Sequence, residues 1–365
     1  MGWAENQWRA GTRPGFPGRV NIERFDPRAE PVKVRAWYDT YLAAKPVDDP
    51  AAPTISLPRF TDVMVEGWEG TPQECWLIPP DAGGVWPGGY VLELPGRENT
   101  HMAPADLVVT PSRRRAGIGT ALLRHAAGRA AANGRTLLCS STRADSPGTA
   151  FARTMGARQS GTEVRRGLDL RSVPDGLLAR LRAGAEPKAA GYSLVSWRDQ
   201  TPEEYIEASA AAINALGDAP LNLSEEPEVY DAARIRESDE QCSRQGLRMY
   251  TVAAWHDATD MMAGITQIAV DPAADDWGLQ FITAVVRQHR GHRLGMLIKV
   301  AMLDWLAQAE PQLRWVNTGN AQANQYMIGI NAQLGFQVLA TYPSWQIDVA
   351  PFLATTPASH AAAPA

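Results

Sequence analysis

A short cationic turn occurs twice in this chain, at matching places in its two halves. The first copy, Val109 to Thr120, reads V-T-P-S-R-R-R-A-G-I-G-T: an apolar strand closed by Pro, an arginine cluster, a Gly-x-Gly turn and the start of a helix. The second, V-V-R-Q-H-R-G-H-R-L-G from Val285 to Gly295, again opens a long apolar-faced helix. Arg114 and Arg290 mark equivalent points 176 residues apart, near half of the 365-residue length. Such a turn aims several backbone N–H groups and the positive end of a helix dipole at one point, with cationic side chains beside it, as a pyrophosphate requires. Repetition at this length implies duplication and fusion, so the chain reads as two anion-cradling domains.

The elements around each turn alternate between strand and helix. In the first half the residue pattern predicts strands at 20–25, 75–78, 89–94, 105–109, 136–140 and 164–170, and helices at 32–44, 121–133 and 147–155. A helix over 175–181 is followed by R-A-G-A-E-P-K-A-A-G, read as a linker. Strands at 192–197, 249–255, 264–270, 280–286, 314–317 and 336–339 then alternate with helices at 202–216, 228–245, 296–308 and 324–334. The expectation is a mixed-sheet α/β fold in two domains, 20–183 and 192–353, joined by 184–191, with a loose segment at 1–19 and a mobile tail at 354–365.

Composition narrows the function. Three cysteines with no C-x-x-C spacing argue against a disulfide framework, and no metal site is indicated. A formal charge of −5 gives no general electrostatic help to nucleic-acid binding; the basic residues are local to the two turns. The first 19 residues lack the apolar run of a signal peptide and no apolar stretch reaches membrane length, so a cytoplasmic protein with no membrane partner is expected. A dinucleotide-binding oxidoreductase is disfavoured, because R-R-A-G-I-G lacks the three-glycine spacing of that fold.

These residues resemble the GNAT acyltransferase superfamily, whose central motif is Val, four residues, Arg or Gln, two residues, Gly, any residue, then Gly or Ala. Val109, Arg114, Gly117 and Gly119 match at every position. In the second half Val285, Arg290 and Gly295 match while Arg293 replaces the first Gly, which puts close backbone approach in question there. The family also carries an Asn, a Tyr seven residues on, and Gly-Phe after three more. Asn324, Gly335 and Phe336 match, with Asn331 at the Tyr place; the first half has Asp145, Ala152 and Gly156-Ala157 instead. Tandem members such as mycothiol synthase are similar in layout.

The resemblance implies an acetyl-CoA or other acyl-CoA donor and direct attack on its thioester by the amine of a small-molecule metabolite or antibiotic, in a monomer or homodimer. Donor contacts would come from Val109, Arg114, Arg115, Ala116, Gly117, Ile118, Gly119 and Thr120. The second set would be Val285, Arg290, Gly291, His292, Arg293, Leu294, Gly295 and Asn324. The reaction needs a base for the ammonium proton, donors for the developing oxyanion and an acid for the thiolate. His101, Glu93 and Asp218 are the candidates on the acceptor side. Asn331 can hydrogen-bond at the acid's place but cannot deliver a proton at neutral pH. Because neither half has the Tyr, a catalytically weak CoA-binding sensor or interaction module is the alternative reading.

Overall fold

The computed structural model describes residues 20–353 apart from 51, 52, 68, 69 and 219, so the expected loose segments at 1–19 and 354–365 lie outside the described residues. The first half runs β1 (Glu23–Phe25), α1 (Pro31–Asp48), α2 (Leu57–Glu66), β2 (Gln73–Leu77), β3 (Gly88–Glu93), β4 (Met102–Val109), α3 (Ile118–Ala132), β5 (Leu137–Ser141), α4 (Pro147–Thr154) and β6 (Arg158–Asp169), then α5 (Leu177–Ala185). The second half runs β7 (Tyr192–Arg198), α6 (Ile206–Ile213), α7 (Ala232–Arg244), β8 (Arg248–His256), β9 (Met261–Val270), β10 (Trp277–Val285), α8 (Leu294–Ala309), β11 (Trp315–Ala321), α9 (Gln325–Leu334), β12 (Gln337–Asp348) and α10 (Ala350–Leu353). The helix α2 had no counterpart in the periodicity reading; Ser56 caps it and Pro58 sits in its first turn.

All twelve strands form one sheet in the order β1-β2-β3-β4-β5-β12-β6-β11-β10-β9-β8-β7. The final strand of each half therefore lies inside the other. β12 pairs with β5, β6 pairs with β11, and β6 and β12 run antiparallel to each other at the centre. The cores follow the exchange. Leu168 of β6, with Leu178 and Leu181 of α5, packs with α8, while Val349, Ile347 and Phe352 from the C-terminal end pack with α3. The segment expected as a linker is the end of α5 and a 3-10 turn (Glu186–Lys188), with Ala185 and Ala189 buried against the second-half core. Polar and small composition suggested solvent exposure; burial came from packing that composition does not encode.

Only β4–β5 and β10–β11 pair in parallel, each joined through a crossover helix, α3 or α8. Both pairings are short. β4 meets β5 from Met102–Leu137 to Pro104–Cys139 and then leaves it, and Pro104 brings no N–H to the ladder. β10 meets β11 from Trp277–Trp315 to Leu279–Asn317, then departs beside a bulge between Gln280 and Ile282. Each half thus opens a wedge in the sheet, with α3 or α8 on one face and α1 with α2, or α6 with α7, on the other. α3 can lie close to its strands because its inner face is Leu122, Ala126, Ala127 and Ala130, all fully buried. Burial of Leu122 alone contributes about 1.5–3 kcal/mol.

Candidate active site

The first Arg/Gly turn follows β4 through a 3-10 turn (Pro111–Arg113). Arg115 (φ 65°) and Gly117 (φ 81°) both take left-handed backbone, and Gly117 is the N-cap of α3. No side chain caps this helix and its first turn holds no acid, so its leading N–H groups are left to meet an anion. Gly119 sits in a tight spot: an added Cβ would lie 3.3–3.4 Å from the ring of Phe151 on α4, which would have to give by a few tenths of an ångström.

The arginines divide their roles. The Arg114 guanidinium donates to both oxygens of Asp48 at 2.8 and 2.7 Å and through Nε to the Val109 carbonyl at 2.9 Å. Its charge is matched within the protein, and it ties the end of α1 to the end of β4; the motif's marker residue builds the loop here. Arg113 is likewise held by Asp81 at 2.6 Å. Arg115 is exposed, with no hydrogen-bond or ion-pair partner among the described residues, next to exposed Ala116 and the first helical residues Ile118 and Thr120. It is the cation open to a ligand.

The second turn has the same backbone. Gly291 (φ 90°) and Arg293 (φ 55°) take the places of Arg115 and Gly117, and Arg293 is the N-cap of α8. Arg290 Nε donates to the Val285 carbonyl at 3.1 Å, as Arg114 does to Val109. A Cβ on Gly295 would lie 3.1 Å from Ile330 and 3.7 Å from Val285, the counterpart of the Gly119 contact. Arg293 therefore adopts the conformation expected to need glycine, at a strain of about 1–2 kcal/mol. His292 Nδ1 donates to the Lys188 carbonyl at 3.0 Å, and Leu294 is buried as the first residue of α8. Asn324 caps α9 by accepting from Met327 N, so its oxygen is engaged in the helix.

The other face of the β3–β4 ladder lies opposite α3. Alternation along β3 and β4 sends Tyr90, Leu92, Ala103 and Ala105 into the α3 core, and hence Glu93, Met102, Pro104 and Asp106 to the other side. A cavity of about 1020 Å³ opens there. It reaches the first wedge at Pro104 and Cys139, and the second at Phe281 and Ile282, so the two halves share it. Glu93 lines this cavity. Its carboxyl is pushed above the ordinary range by burial and then by Asp106. Asp106 faces Val91 across the ladder, a diagonal neighbour of Glu93. Asp106 is exposed and is not among the residues that line the cavity; desolvation by its surroundings, and then Asp48, hold its carboxyl above the usual range.

Sequence reasoning chose Glu93 and passed over Asp106. The signal was present, since A-D-L-V-V puts a carboxylate into an apolar strand directly before the marker turn. The other candidates are dispersed. His101 sits in a turn and its Nε2 donates to the Ser224 carbonyl at 3.0 Å, binding the loop before α7 to the first half. Asp218 ends a 3-10 turn (Asn214–Asp218), and its side chain lies outside the described residues. Asn331 is fully buried in α9, far in sequence from the acidic pair, and its Nδ2 donates to Asn320 Oδ1 at 2.8 Å. Among the described residues no helix is long and apolar enough to cross a membrane, and no His, Cys, Asp or Glu group could hold a metal ion.

Residues 34–157 match the model of the acetyltransferase (GNAT) family. A tandem GNAT protein from the clavulanic acid biosynthesis pathway is 28% identical, with a TM-score of 0.73 over 90% of this chain and 98% of its own. A GCN5-related N-acetyltransferase from Sphaerobacter thermophilus shares the fold at 15% identity and a TM-score of 0.63, covering 92% of this chain and 97% of its own. A putative acetyltransferase from Pyrococcus horikoshii does so at 13% and 0.54, over 94% and 93%. No curated protein matches the sequence. With two wedged half-sheets and two glycine turns at helix starts, these likenesses make residues 34–157 a domain of the acetyltransferase (GNAT) family, in a chain that is similar over most of its length to a tandem GNAT protein.

Proposed function

We propose that this enzyme transfers an acyl group from acyl-CoA to the amine of a small cationic molecule, and that the chemistry takes place in the first half. The observation that carries this is the Glu93 and Asp106 pair on the open face of the β3–β4 ladder, where β4 leaves β5. The uncapped start of α3 and the left-handed glycine at its N-cap suit a pyrophosphate group. Backbone N–H groups from Gly117 to Thr120 and the Arg115 guanidinium would hold it. Bound acyl-CoA supplies a thioester activated toward amines.

The chain's own groups do the rest. The cavity carries eight carboxylates against three guanidiniums, and those three are paired as Arg97–Glu237, Arg234–Glu98 and Arg244–Glu240. A cationic acceptor is drawn in by this excess. With their affinities for protons raised, Glu93 and Asp106 are suited to take the ammonium proton, one holding the amine while the other acts as base. The two functional units are each assembled from both halves because of the strand exchange. The test is thiol release from acetyl-CoA across a panel of amines, with alcohols as controls: amine-dependent release is expected, and release blind to the acceptor would overturn the proposal.

The second half invites the binding-module reading. Counted from the matching pairs Gly88–Val109 and Gly264–Val285, Ala269 and Ile282 stand where the first half has Glu93 and Asp106. A donor cradle without an adjacent base suits binding more than turnover.

A further inference from the structure

Two cations and an amide are buried at the second wedge with no acid to match them. Lys299, sixth residue of α8, is 2% exposed; its Nζ donates to Gln280 Oε1 at 2.7 Å and lies 5.2 Å from the centre of the Phe336 ring. Gln280 is the first β10 residue past the last pair with β11. Its amide donates to Thr266 Oγ1, the Gln267 carbonyl and the Ile282 carbonyl, which fixes Oε1 toward the lysine. Arg166, 8% exposed, pairs in register with Thr318, the first β11 residue past the same point. Its guanidinium donates to the Val164 carbonyl at 3.3 Å, and it shares a sheet face with Leu168 of the α8 core. Neither cation has a carboxylate partner among the described residues. Nearby in the chain order of the same face, Asn331 bonds Asn320 on β11, and its Oδ1 is buried without a partner.

The first half has none of this. Leu123 is the sixth residue of α3, Ala152 stands four before Gly156 as Asn331 stands four before Gly335, and Trp345 pairs with Ser140 as Arg166 pairs with Thr318. Buried cations without counter-ions are costly to keep unless an anion completes them. Burial also pushes the Lys299 ammonium down to about 7.

We propose that the wedge between β10 and β11 is a carboxylate subsite, in which Lys299 and Arg166 receive the free carboxylate of an acyl donor or of a small dicarboxylate. For the donor-borne case this rests on the reading of the second turn as a CoA cradle. The free-metabolite case does not.

The test is calorimetric titration of the full chain with malonyl-CoA, acetyl-CoA and sodium malonate, together with the melting shift each produces. Malonyl-CoA is expected to bind one site at least tenfold more tightly than acetyl-CoA. Lys299→Met and Arg166→Gln should each remove that preference while leaving acetyl-CoA binding intact. The wild-type comparison needs no variant, so it holds if a variant fails to fold. A shift from malonate itself assigns the subsite to a free dicarboxylate, and a response to malonyl-CoA alone assigns it to the donor. Binding of malonate without acetyl-CoA at the second half would retain the subsite and remove its CoA cradle. Equal binding of the two thioesters together with no response to malonate overturns the proposal.

Discussion

The two glycine turns share a backbone and differ in almost every side chain that faces a ligand. Left-handed residues occur at 115 and 117 in one and at 291 and 293 in the other, the Nε contact of the marker arginine recurs, and each second glycine is pressed by the following helix. Even Arg293 follows the template that Gly117 sets. The lesson is that the turn is held by its surroundings, by the helix start, the β4 or β10 carbonyl and the packed α4 or α9, firmly enough to carry the strain of a non-glycine residue. On the function proposed above, chemistry is decided separately, by a few side chains placed on that shared frame: Glu93 and Asp106 against Ala269 and Ile282, Leu123 against Lys299.

The strongest way to break this comparison is to remove what each half lends the other. Deleting β12 and α10 should unfold the first half although every residue of that half is present, because α3 and β5 lose their cover; loss of the cooperative transition in circular dichroism is the expected result, and a native-like melt would show the halves to be independent. Next in size, Asp106→Asn should lower the rate of acyl transfer by about 10²–10⁴ with little change in melting temperature, whereas Ile282→Asn leaves it unaltered. Because both carboxyls of the acidic pair are raised, the acid limb of the rate profile should lie above the ordinary carboxylate range, activity falling as pH drops through it.

A smaller effect concerns stability. Lys299→Leu, which gives α8 the residue that α3 has, should stabilise the unliganded protein by about 1–4 kcal/mol in chemical denaturation. The sign with pH follows from the lysine's lowered proton affinity. Between about 7 and its ordinary value the unfolded chain binds the proton and the folded chain does not, so stability rises with pH across that window, and the slope should vanish in the variant. The smallest effect is on the turns themselves: Gly117→Arg should cost about 1–2 kcal/mol, the strain that Arg293 already bears, and a much larger loss would mean that the two loops are not equivalent.

Local signals in the sequence were sufficient for the elements and for the repeat. Apolar alternation, Pro and Gly punctuation and the helix after each turn come from interactions within a few residues, and the observed elements fall on the expected ones apart from α2 and α10, with β6 and β12 running well beyond the strands expected there. Glu93 was legible because a carboxylate in an apolar strand is conspicuous, and Asp106 carried the same signal unread. The partners were another matter. Periodicity tells a strand which face to bury but not which neighbour to pair, so nothing in β6 or β12 announced that they would change places. Ion pairs across the fold are equally invisible: only packing brought Asp48 to Arg114 and turned the motif's expected phosphate ligand into a strut, leaving Arg115 as the open cation. The sequence determined two glycine turns, each at a helix start; the tertiary structure decided that the two halves line one acidic cavity, because that depends on contacts between residues more than a hundred positions apart.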